Sequence, residues 1–160
     1  MEWPKCRQKP IMNALRNAKD AIDDGDLTSL IEIIVTLPSH AITFAEFDDL
    51  FTPMLKDGYS GSMLSLASSR GYLNMVRYLL TAGSDPDAVD DEGWTALHYA
   101  CSEGQLAVAE ELVLWARARV NIPDRDGETA LVKAVKEKHV MIVLLLLEHG
   151  GDSKGLSNSR

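Results

Sequence analysis

Apolar residues recur along the chain at the spacing of helices that bury one face. Four segments carry apolar residues at positions i, i+3, i+6 and i+7, which is typical of an amphipathic α-helix. The positions are Leu27, Leu30, Ile33 and Ile34; Leu73, Val76, Leu79 and Leu80; Leu106, Ala109, Leu112 and Val113; and Val140, Val143, Leu146 and Leu147. The pattern therefore predicts four helices, each with a single apolar stripe.

These helices belong to a repeating unit. Aligning the chain on Gly71, Gly104 and Lys138 gives a period of about 33 residues, and a weaker copy is centred on Gly25. In each of the three clearer copies a first helix precedes the striped one, and a small residue recurs in it: Ala67, Ala100 and Ala134. One copy cannot bury its stripe alone, so the copies are expected to stack.

Charge is spread unevenly over the 160 residues. The net charge is +4 over residues 1–19, −14 over residues 20–111 and +2 over residues 112–160. An acidic stretch of this size repels nucleic-acid phosphate and attracts basic partners, so we expect no direct nucleic-acid binding. The alternative interpretation is a well-solvated acidic surface without a specific partner.

Cysteine usage and hydropathy favour the cytoplasm or the nucleus. The two cysteines, Cys6 and Cys101, form no CxxC pair, which argues against a disulfide framework or a zinc site. The longest apolar run, Val140–Leu147, is too short to span a membrane, and the N-terminal residues lack the apolar core of a secretory signal. We therefore expect no membrane partner.

The repeat resembles the ankyrin repeat, whose pattern is roughly D-x-x-G-x-T-P-L-H-x-A-A-x-x-G-x-x-x-V-V-x-L-L-L-x-x-G-A-D. DDEGWTALHYACSEG is a strong match, with Ala96 in place of the usual proline. DRDGETALVKAVKEK also matches, but it lacks the histidine and carries Lys138 where glycine is usual. Glycine permits a left-handed turn there, so a lysine should cost about 1 kcal/mol.

The resemblance covers nearly the whole chain and implies an all-α fold. It is an ankyrin-repeat solenoid of about four stacked helix-turn-helix repeats with β-hairpin-like fingers, expected to be a monomer. The expected organisation is a disordered basic terminus at 1–11, one ankyrin-repeat domain at 12–155 with repeats at about 12–38, 57–89, 90–123 and 124–155, an insertion at about 39–56 between the first two repeats, and a tail at 156–160.

The segment Gly93–Gln105 contains histidine, cysteine and glutamate, and two interpretations compete. It could be an active-site peptide, but in the ankyrin pattern Thr95 starts the first helix and His98 ties neighbouring turns together, while Cys101 is a small core residue. The spacing forces no acid or nucleophile beside His98. We interpret the segment as scaffold and expect no catalytic residue, no metal site, no cofactor and no enzymatic activity.

Two segments depart from the pattern. The insertion contains Phe44, Phe47 and Phe51, which fall on one face of a short helix; it either packs on the first repeat as core or forms a partner-binding protrusion. After Leu112, the third copy has one residue more than the others before Arg117-Ala118-Arg119. This indicates a distorted helix end beside Trp115, either a bulge or a binding spot.

Ankyrin proteins commonly bind through their fingers and the inner helix face, so the resemblance implies a set of partner-binding residues. These are Tyr59, Arg70, Asp90, Asp91, Glu92, Trp94, Ser102, Glu103, Arg125, Asp126 and Glu128. A tryptophan where polar residues are usual is typical of a hot spot or of a platform for a partner's cation. The other interpretation of Trp94 is packing against the adjacent finger and Tyr59.

Two functions remain open. The first is a non-enzymatic interaction module or adaptor that binds a basic protein segment, such as a histone tail or a ribosomal protein, through acidic fingers and the concave helix face. The alternative is a small ankyrin-type regulator or inhibitor of an enzyme such as a kinase. The acidic-finger interface should weaken steeply with salt, whereas a mainly apolar inhibitor interface should not.

Overall fold

The computed structural model describes residues 5–36 and 61–152, and the predicted all-α ankyrin stack is confirmed there. The helices are α1 (Lys5–Asp23), α2 (Leu27–Thr36), α3 (Met63–Arg70), α4 (Leu73–Ala82), α5 (Ala96–Ser102), α6 (Leu106–Glu110, continued by a π turn over Glu111–Trp115), α7 (Ala130–Lys136) and α8 (Val140–Glu148). Within these ranges no helix combines the length and the apolar character that crossing a bilayer requires. The insertion expected at 39–56 and the tail at 156–160 lie outside the described residues.

The first helices of the repeats pack side by side, with α3 next to α5, α5 next to α7, and α1 next to α3. The recurring small residues Ala67, Ala100 and Ala134 are fully buried at these contacts. Ala21 is the corresponding residue of α1 and is also buried. A methyl side chain lets neighbouring helix backbones approach closely, so the first repeat joins the stack in the same way as the others.

The predicted stripes of the first three second helices are confirmed, because every residue in them is buried in the core or packs against it. Leu30, Val76, Leu79 and Leu112 are fully buried in a single core that runs through all four pairs. The last helix is different, because much of its apolar surface is exposed. The exposed side chains of α8 are Val140, Met141, Leu144 and Leu147, so the predicted burial of its stripe is wrong at Val140 and Leu147.

Each repeat reaches back to the turn of the repeat before it. In repeats two to four, the residue that precedes the second helix donates a side-chain hydrogen bond to a carbonyl oxygen of the preceding repeat. The three bonds are Tyr72 Oη to Asp23 O at 3.4 Å, Gln105 Nε2 to Ser69 O at 3.2 Å and His139 Nε2 to Ser102 O at 3.1 Å. They tie the repeats together at the ends of the first helices.

Glycine leaves room for these side chains. A Cβ on Gly104, which has φ +73°, would lie 2.5 Å from the His139 ring, and a Cβ on Gly25 would lie 3.2 Å from the Tyr72 ring. The turn thus needs glycine twice, for its left-handed backbone and for the side chain of the next repeat. Lys138 takes this place in the last repeat with φ 63°, as the sequence alignment predicted.

The N-terminal helix corrects one expectation. Helix α1 begins at Lys5, so residues 5–11 are helical where we expected a disordered basic terminus. The first helices of the other repeats have eight residues or fewer, whereas α1 has 19. Its added length is bound to the core through Leu15, which is 2% exposed, and through Ile11, which packs against the buried cluster.

The extra residue of the third repeat forms a π turn, which confirms the predicted distortion. Ala116 N donates to Glu111 O five residues earlier at 3.1 Å, and Ala118 N donates to Leu112 O six residues earlier at 2.9 Å. The turn ends at Arg117 with φ 54°, in the left-handed region that glycine occupies at the ends of α4 and α8. The extra residue is accommodated within this turn, and the repeats keep their register in the stack.

Candidate functional site

The fingers are tight turns, each organised by an aspartate at its first position. In the central finger, residues 90–94, Oδ1 of Asp90 accepts hydrogen bonds from the backbone N–H groups of Glu92 at 2.9 Å and Trp94 at 2.8 Å. In the last finger, residues 124–128, Oδ1 of Asp124 accepts hydrogen bonds from the backbone N–H groups of Asp126 at 3.0 Å and Glu128 at 2.8 Å. Asp90, which we expected to contact a partner, therefore holds its own turn together.

Thr95 and His98 connect the central finger to the helix behind it. The Thr95 side chain caps α5, and the His98 ring nitrogen Nδ1 accepts from the backbone N–H of Thr95 at 3.1 Å. His98 is 1% exposed, and its Nε2 lies 3.2 Å from Glu128 O in the next finger. These contacts require a proton on Nε2 and none on Nδ1, and burial lowers the pKa of His98, which favours this neutral form. The structural role expected for His98 agrees with this geometry.

The last repeat lacks both the threonine cap and the histidine that bonds to the next finger. Val132 replaces the histidine, and Thr129 makes no side-chain hydrogen bond to cap α7. The buried Thr129 Oγ1 has no hydrogen-bond partner among the described residues. The fingers themselves are joined by the backbone, since Arg125 N donates to Glu92 O at 3.0 Å.

The Trp94 ring packs on its own repeat and on the next one. Its centroid lies 5.0 Å from that of Tyr99 and 6.2 Å from that of His98. Lys133 Nζ lies over the ring, 4.5 Å from its centroid. Our expectation that a partner's cation would cover the ring is corrected on this face, because the protein supplies the cation itself from α7.

Lys133 belongs to a cluster of four charges that the sequence did not reveal as a unit. Its Nζ lies 2.7 Å from Asp124 Oδ2 and 2.8 Å from Glu128 Oε2, and Lys136 binds the other oxygen of Glu128. The side chains of Asp124 and Lys133 are only 1% and 11% exposed. Glu128, which we expected to contact a partner, is thus engaged within the last repeat.

Mutual pairing controls the pKa values in this cluster. Burial alone would raise the pKa of Asp124, but hydrogen bonds from Lys133 and from the backbone bring it below its ordinary value. The pKa of Glu128 is lowered by Lys133 and then by Lys136. Burial alone would lower the pKa of Lys133, but its bonds to the two carboxylates raise it instead. Asp124, Glu128 and Lys133 are therefore charged near neutral pH.

The remaining predicted site residues divide into engaged and exposed ones. Arg70 pairs with Asp23 of the first repeat at 2.9 Å, and Tyr59 lies outside the described residues. The Ser102 carbonyl accepts the bond from His139 already described. The other five are exposed at the fingers and at the end of α5: Asp91, Glu92, Glu103, Arg125 and Asp126.

Asp91 and Glu92 are the carboxylates that the central finger leaves in solvent. No hydrogen bond or ion pair of the described residues involves either side chain, in contrast to the engaged Asp90, Asp124 and Glu128. Two adjacent exposed carboxylates can accept hydrogen bonds and salt bridges from a cationic segment. The described residues bring no group of three metal-ligating side chains together.

Cys101 offers no nucleophile. It is 0% exposed, and burial raises the pKa of its thiol to about 12, so the reactive thiolate is not formed near neutral pH. Burial and the Asp90 carboxylate raise the pKa of Tyr99 well above its usual value, and its hydroxyl donates to Asp90 Oδ2 at 2.5 Å. Both side chains near the finger therefore act as parts of the scaffold.

Comparison with known proteins agrees with this architecture. The family description "Ankyrin repeats (3 copies)" matches residues 60–156, which is more than half of the chain, so the chain belongs to the ankyrin-repeat family. Ankyrin repeats are generally protein–protein interaction modules and form a non-catalytic fold. The family thus defines the class of protein.

The relatives are diverse and mostly longer than the matched region. The chain is 37% identical over 113 residues to a putative ankyrin repeat-containing protein of Treponema pallidum, which covers 67% of this chain and 38% of the relative. It is 39% identical over 82 residues to the mouse B-cell lymphoma 3 protein homolog, covering 49% of this chain and 18% of the relative. It is 35% identical over 77 residues to the human SMC5-SMC6 complex localization factor protein 1, covering 48% and 7%.

Proposed function

We propose that the chain is a non-enzymatic interaction module that binds a basic protein segment at its central finger. One observation carries the proposal: Asp91 and Glu92 are exposed at the finger tip without a bonding partner among the described residues. Neighbouring carboxylates repel each other and give the fold nothing, so their presence favours a cationic ligand. Glu103 is a further exposed carboxylate, at the C-terminal end of α5.

The surrounding contacts support this surface by making it rigid. The finger is fixed by the Asp90 turn, by the backbone bond from Arg125 to Glu92, and by Trp94 packing between Tyr99 and Lys133. A rigid surface loses little conformational entropy when a ligand binds. In this proposal Trp94 supports the finger from behind, and the partner's Lys and Arg side chains meet the carboxylates.

A binding titration tests the proposal. A fluorescein-labelled histone-tail peptide serves as the basic probe, with a version in which Gln replaces each Lys and Arg as its control. Each exposed ion pair contributes under about 1 kcal/mol, so Asp91→Asn with Glu92→Gln should weaken the probe by roughly three- to tenfold. The double variant should also flatten the dependence of Kd on salt concentration.

The matched control removes the same charge elsewhere. Glu110→Gln with Glu148→Gln neutralises two exposed carboxylates on α6 and α8, neither of which belongs to a finger. If both double variants lose affinity equally, binding follows net charge alone and the finger has no special role. If neither loses affinity, the acidic-finger proposal is wrong and recognition resides on another surface.

A further inference from the structure

The π turn of the third repeat exposes a tryptophan that the fold does not use. Trp115 is 77% exposed, the largest exposed fraction among the large apolar side chains of the described residues. A tryptophan in solvent forfeits a large apolar contribution to stability, and such residues are enriched in binding hot spots. π turns inside helices are frequent at functional sites.

The backbone at the end of this turn is also strained. Arg117 has φ 54°, whereas Gly83 takes the corresponding position at the end of α4 with φ 108°. A side chain is disfavoured in this region, and the strain would vanish if glycine replaced the arginine. The fold therefore does not require an arginine at this position, and its exposed side chain is available to a partner.

Trp115 borders a groove of about 480 Å³ between the ends of the second helices of repeats two and three. Leu80, Pro86 and Ala116 give the groove an apolar lining. Ser84 and Thr81 add small polar groups beside them. The groove can hold an apolar side chain of a peptide segment packed against the Trp115 ring.

Arg77 lines this groove, and Arg119 binds Asp87, which follows the lining residue Pro86. Arg77 pairs with Glu111 at 2.8 Å, and Arg119 pairs with Asp87 at 2.8 Å. In each pair the carboxylate is the covered partner: the side chains of Glu111 and Asp87 are 12% and 18% exposed, whereas those of Arg77 and Arg119 are 54% and 74% exposed. The carboxylates hold the arginines in place, and the guanidinium groups face the solvent.

We propose that Trp115, Arg77, Arg117 and Arg119 form a docking surface for an acidic peptide segment that carries an apolar side chain. The apolar side chain packs in the groove beside Trp115, and carboxylates of the segment bind the guanidinium donors, which are preorganised for bidentate hydrogen bonds. Each ion pair of this surface presents its guanidinium group to the solvent, whereas the central finger presents carboxylates, and the surface lies at the ends of the second helices. The protein then has two separate docking surfaces, one presenting guanidinium groups and one presenting carboxylates.

A selection experiment tests the proposal on the full chain. A phage-displayed random-peptide library is panned against the immobilised protein, with the Trp115→Ala variant as counter-selection, and enriched peptides are then titrated by fluorescence anisotropy. We expect acidic sequences with an aromatic or aliphatic residue. Trp115→Ala should weaken them roughly thirtyfold, as truncation of a hot-spot tryptophan does, and rising salt should weaken them further.

A second variant separates binding from folding. Arg117→Gly removes one guanidinium and also relieves the left-handed strain, so it should raise Tm while weakening the selected peptides roughly fivefold. Lys138→Gly is the matched control, because it exchanges a basic residue of positive φ for glycine in another repeat and should leave affinity unchanged. Asp91→Asn with Glu92→Gln should leave it unchanged too.

Three results would overturn the proposal. One is enrichment of basic or wholly polar peptides. Another is equal affinity of the selected peptides for the parent, the Trp115→Ala variant and the Arg117→Gly variant. The third is the absence of any peptide that prefers the parent protein over the Trp115→Ala variant.

Discussion

Replacing Lys133 by methionine should destabilise the protein far more than replacing its neighbour Lys136. Methionine keeps most of the side-chain volume but removes the ammonium group that faces Asp124 and the Trp94 ring. The Asp124 carboxylate, at 1% exposure, then loses its countercharge, although it keeps the backbone donors of Asp126 and Glu128. Removing one partner of a buried pair costs about 3–5 kcal/mol.

The retained backbone donors put the expected loss at the lower end, about 3 kcal/mol in the free energy of unfolding. For a chain of this size that corresponds to a fall in Tm of roughly 6 to 12 °C. Lys136 is 47% exposed, and among the described residues it pairs only with Glu128, so Lys136→Met should cost under about 1 kcal/mol. Urea denaturation followed by circular dichroism measures both values as a shift in midpoint at constant slope.

A double variant and a pH series identify the cause. Asp124→Asn removes the buried charge, so Lys133→Met combined with it should cost less than the sum of the two single variants. In the parent the pKa of Asp124 is lowered, so its stabilisation is present above pH 3.8 and is lost as pH falls through the lower folded value. In Lys133→Met the buried Asp124 carboxyl has no countercharge, so its protonation at low pH should make the difference in stability between this variant and the parent smaller. Equal stability of Lys133→Met and Lys136→Met would refute the reasoning.

Three further outcomes can be measured by the same denaturation assay. Thr95→Ala should cost about 1–2 kcal/mol because it removes a helix cap, whereas Thr129→Ala should cost under about 0.5 kcal/mol because its hydroxyl caps nothing; equal losses would contradict the difference in capping. Lys138→Gly should stabilise the protein by about 1 kcal/mol by relieving its positive φ, and a destabilised variant would argue against that strain. Because burial lowers the pKa of His98, its stabilisation is fully present above pH 6.5 and declines as pH falls toward the folded value. His98→Gln should lower stability at pH 7 but reduce the decline towards pH 5, and an unchanged decline would exclude His98 as its source.

The periodic features were predictable because one-dimensional spacing determines them. The register on Gly71, Gly104 and Lys138, the buried Ala100 and the distorted end of the third repeat all follow from comparing copies of the same sequence. A helix that must keep its place in a stack can accommodate one extra residue only as a local bulge. That constraint explains why a residue count sufficed to predict the distorted helix end, which the structure shows to be a π turn.

The side-chain partners were less predictable because they depend on which atoms meet between repeats. Lys133 is 39 residues from Trp94 in the chain, so nothing in either repeat alone indicated that the cation over the ring is internal. The ion pair between Arg77 and Glu111 could have been predicted from the sequence, because these two residues have opposite charges and are 34 residues apart, about one repeat. The start of α1 was missed because residues 1–11 lie outside the repeat pattern and are basic, whereas contacts of Ile11 and Leu15 with the core stabilise a longer helix.

The glycine that leaves room for the following repeat also determines how the array could be lengthened by design. A repeat appended after α8 would bring a side chain to the place that His139 takes beside Gly104. At Lys138 the Cβ stands in that place, so the incoming side chain would have to turn away and lose its hydrogen bond to the preceding carbonyl. A designed fifth repeat should therefore dock more tightly on a Lys138→Gly chain. The added repeat would at the same time cover the exposed Val140 and Leu144.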